Sequence, residues 1–210
     1  MLLGHVVKQN KAWIVSHGTD VLSNALTHRF EKRVERRKNH EPIAYIIGHK
    51  EFYGRPFIVN RNSLIPRPES ELFIEMLKKH LDPNETFQCW DVGTGSGAIA
   101  ITTALEFPKS NVLATDSCKR ALAVAEKNVK TYKLSKRITT QPANLLDTPT
   151  VTRLQRSNKP LIITANLPYV PQELYGASPE KPETQALPFE PKNALVSEDD
   201  GLFHIKKLLE

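Results

Sequence analysis

Two short stretches of this sequence carry residue types that could do chemistry. The first is Asp91-Val92-Gly93-Thr94-Gly95-Ser96-Gly97-Ala98, set where an apolar run gives way to a helical pattern. That is the strand-to-helix turn at the carboxyl edge where open α/β sheets bind ligands. Glycines suit such a turn because a Cβ would block close approach of a ligand to the backbone and would resist the unusual dihedrals. Asp116 closes the next apolar run, at a separation that lets a carboxylate accept from both hydroxyls of a ribose. Gly93, Gly95 and Ala98 also satisfy the dinucleotide pattern GxGxxG/A. On these residues alone a nicotinamide enzyme, an S-adenosylmethionine enzyme, and a ligand-free turn with Asp116 as a mere helix cap all stay open. The second stretch is Asn166-Leu167-Pro168-Tyr169, delivered by Leu161-Ile162-Ile163-Thr164-Ala165.

Asn166-Leu167-Pro168-Tyr169 resembles the (Asn/Asp/Ser)-Pro-Pro-(Tyr/Phe) motif of methyltransferases that act on planar nitrogen. The residue types fit that chemistry. A carboxamide nitrogen or an adenine amino group is a poor nucleophile, because its lone pair is delocalised into the adjacent π system. The Asn166 side-chain oxygen and the Leu167 carbonyl can accept its two N–H protons while the Tyr169 ring stacks on the planar group. Positive charge moves to the nitrogen as the methyl arrives, so these acceptors favour the transition state over the ground state and no separate general base is demanded. Leu167 departs from the usual proline; its carbonyl survives the change, while a stiffening ring is lost.

The elements that must position these residues alternate in type. The patterning predicts strands at 87–92, 111–115, 138–141 and 161–165 and helices at about 97–107 and 120–132, an order that means a parallel sheet covered by helices. Residues 2–39 read as two helices, the second capped by Thr19 or Asp20 and ending near His40. A hairpin-like connector is expected over 43–59, a stiff loop at 64–68 between Pro66 and Pro68, and a helix over 69–80. Six prolines after Asn166 forbid long regular elements until a helical pattern resumes at 204–209.

Bulk composition narrows the class further. A chain of 210 residues with 40% hydrophobic content can bury one sizeable core and a small appendage. No apolar run approaches the roughly 20 residues that span a bilayer, and the first residues lack the pattern of a secretory signal, so no membrane association and a cytoplasmic location are expected. Cys89 and Cys118 have neither CxxC spacing nor a nearby His, so no metal is expected and both read as reduced packing residues. The formal charge of +6 is densest at Arg29, Lys32, Arg33, Arg36, Arg37 and Lys38, on a helix whose apolar positions Leu22, Leu26, Phe30 and Val34 recur every four residues. That face is either solvated or a surface for RNA, a ribosome or an acidic protein.

Three further stretches narrow the resemblance to one family. Glu41-Pro42-Ile43-Ala44-Tyr45-Ile46-Ile47-Gly48 with Glu51-Phe52-Tyr53-Gly54 resembles the interdomain hairpin of the HemK/PrmC protein-(glutamine-N5) methyltransferases. Leu64-Ile65-Pro66-Arg67-Pro68-Glu69-Ser70-Glu71 resembles their "LIPRPETE" segment, and Glu190-Pro191, Ala194-Leu195 and Asp200-Gly201-Leu202 resemble the pattern after their catalytic tetrapeptide. The resemblance implies an α/β fold: a Rossmann-like S-adenosylmethionine-dependent sheet, incomplete at its C-terminus, over 71–210, with a helical substrate-recognition domain at 1–40 and a hairpin and linker at 41–70. It implies N5-methylation of a protein glutamine, usually in the Gly-Gly-Gln loop of peptide chain release factors. Gly93, Thr94, Gly95, Ser96, Gly97 and Asp116 would hold S-adenosylmethionine, with Asn144 and Leu145 framing its adenine; Asn144 stands where the family usually shows Asp. Asn166, Leu167, Pro168 and Tyr169 would hold the glutamine, Asn166 also facing the cofactor. The family extends beyond both ends of this chain, so a fragment is expected, with the fourth strand a raw edge and poor stability and activity in isolation. A monomer is expected. Adenine methylation of RNA or DNA and an inactive binding module remain the competing readings.

Overall fold

The computed structural model describes residues 1–146, 150, 159–175 and 185–210. The chain begins with three helices, α1 (Leu2–Val7), α2 (Lys11–Ser16) and α3 (Asn24–Lys38), where patterning predicts two. The division follows from local chemistry. Lys8 turns left-handed at φ 58°, the Asn10 side chain accepts from the Trp13 N–H, and a new helix starts there. The cap of α3 is Ser23, whose side chain accepts from the Leu26 N–H, instead of Thr19 or Asp20. Leu22, Leu26, Phe30 and Val34 are half-buried and no residue of α3 is fully buried. Part of the basic stretch is used internally: Arg36 makes a two-pronged contact with buried Glu41 at 2.7 and 2.8 Å, and Arg37 donates to the His40 and Glu41 carbonyls.

The connector expected over 43–59 divides into a short helix, α4 (Ile43–Ile47), and a true hairpin, β1 (His49–Phe52) with β2 (Arg55–Ile58). Its two turn residues, Tyr53 and Gly54, have φ of 51° and 69°, the mirror-image turn that matches strand twist. Phe52 and Phe57 point into the main core, and the Tyr53 N–H donates to Glu71 at the start of α5 (Glu71–His80).

The main sheet consists of β3 (Gln88–Val92), β4 (Asn111–Asp116), β5 (Ile138–Pro142) and β6 (Leu161–Ala165), all parallel in the order β5-β4-β3-β6. Helices α6 (Ala98–Glu106) and α7 (Lys119–Thr131) make the crossovers. Trp90, Val92 and Leu113 line one sheet face, while Cys89, Val112 and Ala114 join the larger core with α6, the hairpin and Ile74. Strands buried on both faces read as continuous apolar runs, which is why patterning finds them. Among the described residues β6 is the sheet edge, with Leu161 and Ile163 exposed. Beyond it, β7 (Val170–Pro171) pairs with β8 (Val196–Ser197), and α8 (Phe203–Leu209) follows. Among the described residues no helix is long and apolar enough to cross a membrane.

Candidate active site

In register, Val92 at the end of β3 lies beside Thr115 of β4 and Ala165 of β6. The glycine turn, Asp116 and the Asn166 corner therefore leave the sheet side by side, at its carboxyl edge. The glycine turn is left-handed three times, with φ of 69° at Gly93, 57° at Gly95 and 81° at Gly97, which side chains other than glycine resist. A Cβ on Gly95 would meet nothing within 4 Å, whereas one on Gly93 would stand 3.3 Å from the Leu167 side chain.

Asp91 ties the two motifs together. Its carboxylate is fully buried and accepts from Thr94 Oγ1 at 2.6 Å and from Thr164 Oγ1 at 2.7 Å. One hydroxyl belongs to the glycine turn, the other to the strand that delivers Asn166. Burial pushes the Asp91 carboxyl up to about 6; the Thr94 and Thr164 hydroxyls oppose that shift and Asp116 adds to it. Asp116 is itself shifted upward by burial, against the pull of the Cys118 and Gly95 N–H groups, which donate to Oδ1 at 2.8 Å and Oδ2 at 2.9 Å.

The Asn166 corner is held from three sides. Asn166 Nδ2 donates to Ser70 Oγ at 3.0 Å, so the amide oxygen is the atom left to act as an acceptor. Leu167 is 7% exposed and packs with Trp90, Val92 and Leu113; packing supplies the anchoring that a proline ring would have given. The Tyr169 carbonyl lies against Gly201, where a Cβ would come within 2.2 Å of it. The loop before α5 is clamped in turn: buried Glu190 accepts from the Ile65 N–H at 3.0 Å and from Arg67 at 2.6 Å. Buried Asn128 bridges the hairpin and the glycine turn, through both the N–H and the carbonyl of Ile58 and the carbonyl of Ser96.

These contacts frame an open cleft. It brings together Gly93, Gly95, Asp116, Asn144, Leu145, Asn166, Leu167 and Pro168, with Ser63, Leu64, Cys118 and His204 on its walls. Asn144 is exposed and Leu145 is left-handed at φ 49°, unusual for a branched side chain. Thr94 and Ser96 line a smaller adjoining cleft that shares Gly93, Gly95 and Asn166. The Thr94 hydroxyl, N–H and carbonyl are all engaged in holding the turn. Gly97 lines neither cleft; it caps α6 against Ala125. The Tyr169 ring is 60% exposed and also lines neither. Sequence reasoning missed the supporting roles of Asp91, Ser70, Glu190 and Arg67, although all four stand inside the quoted motifs. It missed Ser63 and His204 altogether.

Two family models match the chain: the PrmC N-terminal domain over residues 1–48 and the methyltransferase small domain over residues 68–156. Over 211 residues the chain is 37% identical to the release factor glutamine methyltransferase of Neisseria gonorrhoeae, spanning 100% of this chain and 72% of that protein. It is 34% identical to the protein of the same name from Bordetella pertussis, spanning 99% and 73%, and 35% identical to that of Bacillus anthracis, spanning 100% and 72%. Among solved structures, the hMettl16 catalytic domain in complex with MAT2A 3′UTR hairpin 6 superposes with a TM-score of 0.56 at 19% identity, over 75% of this chain and 56% of that one. That likeness speaks for the α/β methyltransferase fold alone. The nicotinamide reading that the glycine turn left open is closed by the methyltransferase model and by the matches that span this chain, and the chain belongs to the release factor glutamine methyltransferase family.

Proposed function

We propose that this enzyme moves a methyl group from S-adenosylmethionine to the side-chain amide nitrogen of a protein glutamine, the Gly-Gly-Gln glutamine of a peptide chain release factor. The observation that carries this reading is the buried Asp91 bridge, which joins the glycine turn to the strand bearing Asn166 and so fixes a donor site beside an acceptor site.

The residues present fit the cofactor. The open space over Gly95 is room that a Cβ would fill. Each Asp116 carboxylate oxygen has one backbone donor, leaving a lone pair on each for a ribose hydroxyl. Gly93, Gly95 and Asp116 would hold the ribose and methionyl parts, with Asn144 and Leu145 beside the adenine. When bound, S-adenosylmethionine supplies an electrophilic methyl on a sulfonium.

The chain's own residues do the rest. Asn166 Oδ1 and the Leu167 carbonyl accept the two amide protons of the glutamine and hold its nitrogen lone pair toward the incoming methyl. Their partial negative charge is aimed at the atom that becomes positive, so the stabilisation grows along the reaction, and the cationic nitrogen then gives one proton to water to leave the neutral N-methyl amide. Ser70 keeps Asn166 from presenting its NH2 group instead. A turn of the exposed Tyr169 side chain would cover the planar amide, and residues 1–40 would grip the protein substrate outside the cleft. The test is incubation with labelled S-adenosylmethionine and a release factor, followed by mapping of the label. Label on the Gly-Gly-Gln glutamine, lost in Asn166→Ala, is expected; label in RNA and none in protein would replace this reading with adenine methylation, and failure to bind the cofactor would make the chain a binding module.

A further inference from the structure

Beyond the active cleft lies a second, more open groove, and among the described residues the two share Asn193 and His204 as a common rim. We infer that this groove seats the polypeptide on one side of the methyl-accepting amide, and that His204 positions that segment by a hydrogen bond to its main chain. This rests on the glutamine reading above and names the subsite which that reading leaves undefined.

A glutamine side chain that enters the cleft brings its own main chain to the rim, so the neighbouring residues must cross it. Among the described residues the groove beyond is lined by Gln172, Val196 and Phe203, with Lys192 and Glu198 as its charged side chains. Amide side chains with balanced charge suit an uncharged peptide backbone and give no grip to a phosphate chain. His204 is half-buried at the start of α8, and its ring is oriented by Ser197, whose Oγ lies 2.9 Å from Nδ1. Ser197 Oγ already accepts from the His204 N–H at 3.5 Å. In the tautomer in which the Ser197 hydroxyl donates its one hydrogen to Nδ1, the imidazole proton sits on Nε2. Nε2–H is then a donor at the rim, suited to a peptide carbonyl. Ser197 is fixed by the pairing of β8 with β7, directly after the Asn166 corner, so the rim and the acceptor site move as one piece.

The experiment compares three peptides with the unaltered protein, His204→Ala and His204→Gln: acetyl-Gly-Gly-Gln-amide, and the same core extended by about four residues on either side. Removing one main-chain hydrogen bond should raise KM by about tenfold for one of the extended peptides, with kcat unchanged. His204 also lines the active cleft, so the core peptide is the reference: its KM should move by less than that of the extended peptide, and His204→Gln, which keeps an N–H donor, should recover most of the difference. Circular dichroism and chemical denaturation report whether each variant is folded; if alanine disrupts the fold, His204→Gln against His204→Phe is the pair to compare. Equal effects on core and extended peptides, or none, overturn the inference while leaving the glutamine reading intact. Absence of methylation of every peptide by the unaltered protein overturns the glutamine reading, and this inference with it.

Discussion

Replacing Asp91 by Asn tests whether the bridge between the two motifs is a strained buried charge. In the folded chain this carboxyl titrates at about 6, against an ordinary 3.8. Between those two values the folded chain keeps a proton that the unfolded chain has released. Stability therefore falls as pH rises through the window, by about 1.36 kcal/mol per pK unit. The whole component is about 3 kcal/mol, and roughly half of it, about 1.5 kcal/mol, is lost between pH 5 and pH 7.5. Asparagine keeps the shape and cannot ionise. It replaces one acceptor by an N–H, so either Thr94 or Thr164 must turn its hydroxyl round to accept, a change of about 1 kcal/mol that is the same at both pH values. Glu41 and Glu106, whose carboxyls are shifted downward chiefly by the Arg36 contact in the first case and by Arg55 and Lys78 against burial in the second, contribute with the opposite sign but are common to both chains. Urea denaturation of both proteins at pH 5 and pH 7.5 should show the variant gaining on the parent by about 1.5 kcal/mol over that interval. A difference that does not change with pH would mean that Asp91 titrates at or below the ordinary aspartate value, its two hydroxyl donors matching or outweighing its burial.

Other substitutions separate the supporting contacts. Gly201→Ala forces a left-handed residue, at about 1–2 kcal/mol, and drives a Cβ to 2.2 Å from the Tyr169 carbonyl; methyl transfer should fall with little change in cofactor affinity, as kinetics and calorimetry would show. Arg67→Ala leaves the Glu190 carboxylate buried with only the Ile65 N–H, and chemical denaturation should record a loss of about 3 kcal/mol, partly restored by Glu190→Gln. Asp116→Ala removes the proposed acceptor of two ribose hydroxyls, so calorimetry should find cofactor affinity lower by on the order of 100-fold; unchanged affinity would remove Asp116 from the cofactor site.

The sheet was legible because it is written locally. Strands buried on both faces appear as runs such as Val112-Leu113-Ala114, and the expected 111–115 and 161–165 differ from the observed strands by at most one residue. The glycine turn was legible because positive φ at Gly93, Gly95 and Gly97 excludes most other residues. The N-terminal helices were misdivided because their ends depend on one capping hydrogen bond each, from Asn10 and Ser23, and several residues nearby could have served. Periodicity cannot choose among Thr19, Asp20 and Ser23 when all three are good caps.

What patterning could not supply is the wiring between segments. Asn166 meets Ser70 across 96 residues, Ile65 meets Glu190 across 125, and Asp91 meets Thr164 across 73. Each partner is an ordinary Ser, Glu or Thr whose type says nothing about its distant contact, yet the Ser70 contact sets which way round the Asn166 amide faces. Leu167 shows the same principle in reverse. As a departure from proline it reads as a looser corner, because a ring fixes φ within the residue itself. In the fold the side chain is buried against Val92 and close to Gly93, and the corner is fixed from outside, by packing and by the Tyr169 carbonyl resting on Gly201. The rigidity that a chemical site needs has moved from a covalent ring to contacts made only when the sheet closes. The proposed acceptor site therefore depends on the integrity of the whole fold more strongly than its four residues suggest.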